Sequence, residues 1–224
     1  MSKSGGLKGY EISLVEEFQK YPVRFVNHLW PDIILYKEQR MIMESVRDTV
    51  ETYVPAANMM GKDFISGLIA LWGFLVHPVA RVITTSVKDD HLDVVWGEIG
   101  RFIQTCRVPL SARKGGHLIL NHHDVTKVYR DKNAPDGWRK DTISYLKGMV
   151  SAKGEGLAGH HAPYTLLIGD EASGLDDQVH VQGQGWARRF LYIGNCNDCA
   201  NFFYHAIKEG DILADNPERG VALV

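Results

Sequence analysis

Apolar residues recur three and four positions apart in several segments, and this spacing predicts helices that bury one face. The segments predicted as helices are Tyr10–Tyr21, Lys37–Thr49, Asp63–Val76, His91–Thr105 and Asn201–Glu209. In two of them we expect named residues to face the core. These are Met41, Ile42, Ser45 and Val46 in the second helix, and Val94, Val95, Ile99 and Phe102 in the fourth.

Short apolar runs of strand length alternate with these helices. The predicted strands are Glu51–Pro55, Ala80–Thr85, His117–Asn121, Asp124–Tyr129, Thr142–Leu146, Tyr164–Gly169 and Phe190–Gly194. Runs that are apolar throughout, such as TLLI and FLYI, are typical of parallel strands covered on both faces. The alternation therefore predicts an α/β fold with a mainly parallel central sheet and helices on both faces.

Composition limits the class of protein without identifying it. The chain has 224 residues, 45% hydrophobic and 23% charged, which predicts a globular protein with one main domain. A net charge of −2 gives no overall signal for nucleic-acid binding, although a local basic face stays open. Three cysteines, an odd number, favour a reducing compartment, and neither a signal peptide nor a membrane span is predicted.

One loop resembles a phosphate-binding motif with two changed positions. The motif is G-x-x-x-x-G-K-[ST], and here Ala56 and Asp63 replace its first and last residues while Gly61 and Lys62 remain. A predicted strand precedes the loop and a helix follows it, as phosphate binding requires. Lys62 would contact the phosphates, and the carboxylate of Asp63 is a suitable Mg²⁺ ligand. The alternative is an ordinary turn in which Asp63 caps a helix.

A second motif completes an ATPase pattern. The strand at Tyr164–Gly169 runs into Asp170 and Glu171. In ATPases of this type the Asp holds Mg²⁺ and the Glu activates the attacking water, at the carboxyl end of a strand next to the phosphate-loop strand. For Asp170 and Glu171 taken alone, an acidic turn after a strand is the simpler explanation. The phosphate-loop motif and this motif in the same order favour an ATPase. Asn195, after the following apolar strand, is a candidate γ-phosphate sensor or a plain turn residue.

At this point the sequence resembles the large terminase subunits of tailed bacteriophages. The likeness spans about Leu35 to Ile207 and is carried, in order, by LYKEQRMIMESV, VPAANMMGKDFISGLIALW, RVITTSVKDDHLDVVWGEI, GEGLAGHHAPYTLLIGDEASGLDD and FLYIGNCNDCANFFYHAI. Two departures are that the loop lacks the arginine found in many terminases and that Cys196 replaces the usual proline of the coupling turn.

The resemblance implies a P-loop NTPase fold of the ASCE type, with ATP and Mg²⁺ as cofactors. It implies Lys62 and Glu171 as catalytic residues and Asp63 and Asp170 as metal ligands. The nucleotide contacts it implies are Gln39 at the adenine, then Ala57, Asn58, Met59, Met60, Gly61, Lys62, Asp63, Phe64 and Asn195.

The resemblance also implies partners. These are double-stranded DNA, the portal protein, the small terminase subunit and, when assembled, further copies in a ring; an isolated domain could be monomeric. No membrane is involved, and the site of action would be the procapsid portal in the host cytoplasm. An arginine would be supplied by a neighbouring copy. The candidates are Arg101, Arg107, Arg113 and Arg139, and the alternative for each is a solvated surface arginine.

The resemblance implies a division of the chain into three segments. Residues 1–35 would form a helical extension or lid, residues 36–210 the ATPase domain, and residues 211–224 a tail leading toward a nuclease domain that this chain lacks. Nuclease activity is therefore not expected in this chain. The alternative function is a degenerate P-loop module that binds nucleotide or DNA without turnover, because Ala56 and Asp63 depart from the motif.

Other groups of residues are weaker candidates. Cys196 and Cys199 with His205 could bind zinc or act as a redox pair, but one C-x-x-C is a weak signal. The pairs His122-His123 and His160-His161 are not expected to hold a metal, because adjacent side chains on a strand point apart. A basic DNA-contacting patch is weighed against a solvated loop, and its residues are Lys127, Tyr129, Arg130, Lys132, Trp138, Arg139 and Lys140.

Overall fold

The computed structural model describes residues 9–57, 60–151, 153–195, 200–209 and 221–223. Within these residues the α-helices are α1 Gly9–Lys20, α2 Pro22–Leu29, α3 Lys37–Asp48, α4 Lys62–Val76, α5 Asp89–Thr105, α6 Asp177–Gln184 and α7 Phe202–Lys208. The strands are β1 Glu51–Pro55, β2 Ala80–Ser86, β3 Leu118–Asn121, β4 Asp124–Arg130, β5 Trp138–Val150, β6 Tyr164–Asp170, β7 Arg189–Gly194 and β8 Val221–Leu223.

All eight strands form one sheet in the order β3-β4-β5-β2-β6-β7-β1-β8. The strands from β5 to β8 pair in parallel, whereas β3, β4 and β5 pair antiparallel as a meander at one edge. The predicted α/β fold with a mainly parallel sheet is confirmed. One expectation is wrong, since β6 does not neighbour β1: β7 lies between them and pairs in parallel with both.

The sheet is covered on both faces, because alternate residues of each strand point to opposite sides. On one face Val54, Leu166 and Ile193 join the helices α1 to α5 in the larger hydrophobic core. On the other face Leu167 and Tyr192 pack with α6 and α7. This two-sided burial explains the continuous apolar runs in β6 and β7.

Two inward assignments are wrong. Met41 is 43% exposed and Val94 is 53% exposed, whereas Ile42, Val95 and Ile99 are buried. Each misassigned residue precedes a buried one, and successive helical residues lie about 100° apart around the axis. The buried face of each helix is therefore rotated from the predicted one, and it includes Met43 in α3 and Trp96 in α5.

The predicted strand at Thr142–Leu146 is the middle of a much longer β5. Its first residues, Trp138, Arg139 and Lys140, lie outside the predicted strand. Lys140, Arg139 and Trp138 instead pair with Val128, Tyr129 and Arg130 of β4. Backbone pairing with a neighbouring strand thus extends β5 where side-chain hydrophobicity gives no signal.

The segment before residue 36 shares the main core. The Trp72 indole N–H of α4 donates to the Phe18 carbonyl at 2.9 Å, and that of Trp30 donates to the Phe102 carbonyl of α5 at 3.0 Å. Residues 221–223, within the predicted tail, form β8 beside β1. The proposed domain limits stay a prediction. Among the described residues no helix has the length and apolar character needed to cross a membrane.

Candidate functional site

The carboxyl ends of β1, β7 and β6 meet at one edge of the sheet. Pro55 at the end of β1 lies opposite Gly194 of β7, and Asp170 at the end of β6 lies opposite Ile193. Loops that follow parallel strands at such an edge form the usual ligand crevice of open α/β sheets. The N-terminus of α4 opens into this crevice, and the dipole and first N–H groups of a helix favour an anion at this position.

Gly61 immediately precedes α4 and has a left-handed backbone conformation, with φ of 73°. A side chain would be strained at this φ, and a Cβ atom would lie 3.1 Å from the Gln39 side-chain nitrogen. Glycine therefore lets the chain turn tightly into α4 and brings Lys62 in as its first residue. The Lys62 side chain is only 7% exposed.

Lys62 and Glu171, 109 positions apart in the sequence, form an ion pair in the crevice. The Lys62 Nζ atom lies 2.7 Å from Glu171 Oε1. Glu171 itself has φ of 49°, a left-handed conformation that is uncommon for residues with a side chain and costs roughly 1–3 kcal/mol. This sharp turn ends β6 and directs the carboxylate toward α4.

The end of β7 packs directly against that turn. A Cβ atom on Gly194 would lie 2.7 Å from the Ala172 backbone nitrogen, so only glycine permits the approach. The Gly194 carbonyl accepts a hydrogen bond from the Ala56 N–H at 2.9 Å, which ties the start of the loop to β7. Asn195 follows at the same edge. Strand β7 thus contacts both the loop that follows β1 and the turn that follows β6, and these two segments carry the two sequence motifs.

Asp170 is a buried carboxyl group, 2% exposed. Burial raises its pKa to about 7, and the negative charges of Asp63 and Glu171 add to that effect. Burial also raises the pKa of Asp63 above its usual range, partly offset by the Lys62 ammonium. The site therefore gathers three carboxyl groups around the Lys62 ammonium, an arrangement that favours an additional cation.

The donor set fits a hard divalent cation such as Mg²⁺. Asp170 Oδ1 is buried and has no hydrogen-bond partner among the residues that the structure describes. Such an unsatisfied oxygen is costly unless it meets a ligand. Carboxylate oxygens are the ligands that Mg²⁺ prefers, and Asp63 adds another next to Lys62.

A cleft of about 520 Å³ adjoins Gly61. It is lined mainly by apolar and aromatic side chains, with a few polar groups, which is typical of pockets for small organic ligands. The lining residues are Ile33, Ile34, Tyr36, Glu38, Gln39, Met60, Gly61 and Phe64. Ile33, Ile34 and Tyr36 were not predicted as site residues, because the exposure of Ile34, at 81%, is visible only in the structure.

Gln39, which lines this cleft, also caps the start of α3. Its side-chain oxygen accepts a hydrogen bond from the Tyr36 backbone N–H at 3.1 Å and so caps α3. Its side-chain nitrogen points toward Gly61. A ligand that keeps the cap intact would therefore meet the amide nitrogen, which is a hydrogen-bond donor.

Two of the other predicted nucleotide contacts, Met60 and Phe64, line the same cleft. Ala57 and Met60 are exposed, and Phe64 is half-buried against the Phe102 ring, with centroids 5.3 Å apart. Asn58 and Met59 lie outside the described residues, as do Cys196 and Cys199 of the C-x-x-C.

Solved structures of similar fold include the Thermus phage P74-26 large terminase ATPase domain, with a TM-score of 0.58 at 18% identity over 81% of this chain and 72% of that chain. The large terminase of bacteriophage HK97 gives 0.60 at 13% identity, over 92% of this chain and 43% of that one. This chain has the fold of phage large-terminase ATPase domains. The predicted P-loop NTPase fold is thereby confirmed.

A third large terminase, from a thermophilic bacteriophage and in complex with ADP, gives a TM-score of 0.52 at 13% identity. The match covers 85% of this chain and 45% of that one. This chain therefore spans less than half the length of the HK97 terminase and of the ADP-bound terminase. No family model and no curated protein matches the sequence.

The four arginine candidates differ in their surroundings. Arg101 pairs with Glu98 and lies over the Phe102 ring, 4.5 Å from its centroid, and near Phe64. Arg107 lies 3.1 Å from a nitrogen of His28. Arg113 and Arg139 lie in a short 3₁₀ helix and on β5. Of these four, Arg101 is the one in contact with a residue that lines the cleft.

Two expectations about the remaining groups need correction. Lys127 belongs to no surface patch, because its ammonium donates to the His77 carbonyl at 3.2 Å and lies over the Phe74 ring. His122 and His123 do not point apart, since their ring centroids are 3.8 Å apart. In contrast, Arg130 stacks on the exposed edge of the meander, 3.9 Å from the Trp138 ring centroid.

Proposed function

We propose that this protein is an ATP-hydrolysing motor domain that uses Mg²⁺ and drives double-stranded DNA into a viral procapsid. The observation that carries the proposal is the convergence of Lys62, Asp63, Asp170 and Glu171 at the N-terminus of α4, beside an apolar cleft. Two distant segments thereby bring together the types of group that phosphoryl transfer to water uses, which are a phosphate-binding lysine, carboxylates for a metal ion and a carboxylate base. The shared fold with terminase ATPase domains supports the motor role.

The proposed roles follow from the contacts. Lys62 and the N-terminal amides of α4 bind the phosphates, and the cleft around Tyr36 and Phe64 holds the base. Asp63 and Asp170 would hold Mg²⁺, which when bound neutralises charge on the triphosphate. Glu171 orients the attacking water and accepts its proton.

Because Lys62 and Glu171 form an ion pair, activation of water by Glu171 would follow nucleotide binding. While the two side chains are 2.7 Å apart, the Glu171 carboxylate is held by the ammonium. A bound γ-phosphate competes for the same ammonium, because it carries more negative charge than one carboxylate. Glu171 is then released toward the water. Hydrolysis-competent geometry would therefore arise only after nucleotide has bound.

The partners in this proposal are double-stranded DNA, the portal protein, the small terminase subunit and neighbouring copies in a ring at the portal in the host cytoplasm. An arginine from a neighbouring copy would complete the site. Such an arginine contributes roughly 10³–10⁵ in rate in related phosphoryl-transfer enzymes. Turnover should therefore rise steeply with protein concentration and with added duplex DNA.

The test compares phosphate release and nucleotide binding in the same variants. Lys62→Ala should lose both, whereas Glu171→Gln should lose turnover, by roughly 10²–10⁴-fold, and keep nucleotide binding in calorimetry. Lys153→Ala and Glu155→Gln, which remove exposed groups of the same types, serve as controls. Unchanged turnover in Glu171→Gln would refute the assigned role.

A binding module without turnover is the second candidate, favoured by the carboxylate of Asp63 where the motif has a hydroxyl. It predicts saturable binding of ATP with Mg²⁺ and no phosphate release at any protein or DNA concentration. Stimulation of phosphate release by duplex DNA would exclude it.

A further inference from the structure

Two imidazoles and a carboxylate converge where the β3–β4 hairpin meets α5. His123 Nε2 lies 2.8 Å from Asp93 Oδ1, and His122 Nε2 lies 3.9 Å from the same oxygen. One ligand atom from each residue can be chosen so that all three lie within 4.8 Å of one another. None of these residues belongs to the proposed nucleotide site.

The convergence depends on an unusual backbone conformation in the hairpin turn. His122 has φ of 43°, in the left-handed region that residues with side chains rarely adopt. On a regular strand two successive side chains would point to opposite faces. Here the turn brings both rings to one side, with an interplanar angle of 33°. Such conformations cost free energy and concentrate at functional sites.

His123 is fixed in place by its surroundings. Its side chain is 9% exposed, its carbonyl accepts a hydrogen bond from the Gly148 N–H at 2.8 Å, and its ring packs against Trp96. A Cβ atom on Gly148 would lie 2.9 Å from the His123 Cβ, so this packing requires glycine. One ligand is thus rigid, while His122 and Asp93, 73% and 57% exposed, can adjust to it.

A second carboxylate lies behind His123. Asp89 Oδ1 is 3.6 Å from His123 Nδ1, whereas Asp93 contacts the other ring nitrogen. The 2.8 Å contact is a hydrogen bond that Nε2–H donates to the Asp93 carboxylate, so a metal ion bound at Nε2 would take the place of that proton. Nδ1–H would then face Asp89, the kind of outer partner that metal-binding histidines almost always have.

We propose that Asp93, His122 and His123 bind a divalent transition-metal ion of the zinc class, with Asp89 as a positioning residue. Two imidazoles and one carboxylate are a typical ligand set for Zn²⁺, whereas Mg²⁺ and Ca²⁺ prefer oxygen alone. Bonds of about 2.0–2.2 Å in a tetrahedral site place ligand atoms roughly 3.4 Å apart. The two measured distances, 2.8 and 3.9 Å, lie on either side of that value.

A metal at this position would join two separate parts of the fold. Asp89 and Asp93 lie in the first turns of α5, whereas His122 and His123 lie in the hairpin between β3 and β4. The exposure of His122 leaves room for water as a further ligand. We therefore expect the bound ion to hold the edge meander against α5 and to raise the melting temperature.

The test is calorimetric titration of the untagged full chain with ZnCl₂, beside visible absorption after addition of CoCl₂. We expect one saturable site whose Co²⁺ spectrum shows imidazole coordination. His122→Ala and Asp93→Asn should abolish binding at this site, and both residues are exposed, so folding should be preserved. Asp89→Asn should weaken binding by roughly 10–100-fold, the usual effect of losing an outer-shell partner.

Two controls separate this site from other metal-binding groups. His161→Ala removes an exposed imidazole elsewhere and should leave the titration unchanged. A Cys196→Ser/Cys199→Ser variant removes both thiols of the C-x-x-C and should retain the site. The proposal is overturned if ZnCl₂ gives no saturable binding, or if binding survives in both His122→Ala and Asp93→Asn. In either case the cluster is an ion pair only.

Discussion

Asp170 should make the stability of this protein decrease as the pH rises. Its pKa in the folded state is about 7, because burial and the neighbouring Asp63 and Glu171 carboxylates disfavour its charge, whereas the ordinary value is 3.8. Between these two values the unfolded chain has released the proton and the folded chain still holds it. Since stability falls with pH wherever the folded state binds more protons, this group destabilises the protein progressively from about pH 4 to about pH 7.

The magnitude follows from the size of the shift. Each pKa unit corresponds to about 1.4 kcal/mol, so a shift of roughly 3 units gives a destabilisation on the order of 4 kcal/mol above pH 7. Asp170→Asn keeps the size of the side chain and removes the titration. We expect this variant to match the wild type near pH 4 and to be more stable by a few kcal/mol near pH 8.

The assay is urea denaturation of both proteins across this pH range, with the free energy of unfolding taken from the midpoint and the slope. Asp32→Asn, which changes an exposed aspartate, is the matched control and should follow the wild type. Mg²⁺ should stabilise the wild type at high pH and not Asp170→Asn, because the ion takes the place of the proton. Parallel stability curves for the wild type and Asp170→Asn would refute the reasoning.

Three further changes test other parts of the structure. Gly61→Ala should reduce stability by roughly 1–2 kcal/mol in urea denaturation, because φ of 73° is strained for alanine. It should also weaken nucleotide binding. A variant as stable as the wild type would show that this position does not require glycine. Ile34→Asp should weaken ATP binding in calorimetry and leave the unfolding midpoint unchanged, because this side chain is 81% exposed in the cleft; equal affinity would exclude the cleft as the base site. Phe74→Ala should cost about 3–5 kcal/mol of unfolding free energy, because it empties a fully buried position in α4, and a smaller loss would mean that the core collapses around the gap.

Much of the fold could be predicted because the signal is local. The helix α4 and the strand β6 are continuous apolar segments, and their lengths and order are visible in the sequence. The short helix α2 was not predicted, although its buried residues Phe25, Val26 and Leu29 follow a helical spacing, and α6 has few apolar residues. The length of β5 depends on its pairing with β4, which is a contact between residues and not a property of the segment.

The candidate site likewise has features that the sequence predicts and features that depend on tertiary contacts. Lys62 and Glu171 were identified by the chemistry of their motifs, and the sequence order made their roles a hypothesis. Their ion pair, the raised pKa of Asp170 and the cap that Gln39 makes on α3 depend on atoms from distant segments. None of these can be predicted from spacing, because burial and partners are set only when the segments pack.

The sequence by itself determined the alternation of elements and the residue types able to bind phosphate and metal, because hydrophobic period and side-chain chemistry are local properties. Only the tertiary structure decided that β7 lies between β1 and β6, and that His122 and His123 face the same way. Strand order results from competition among pairings along the whole chain, and the histidine geometry results from one left-handed residue. Both are outcomes of packing, which no single segment encodes.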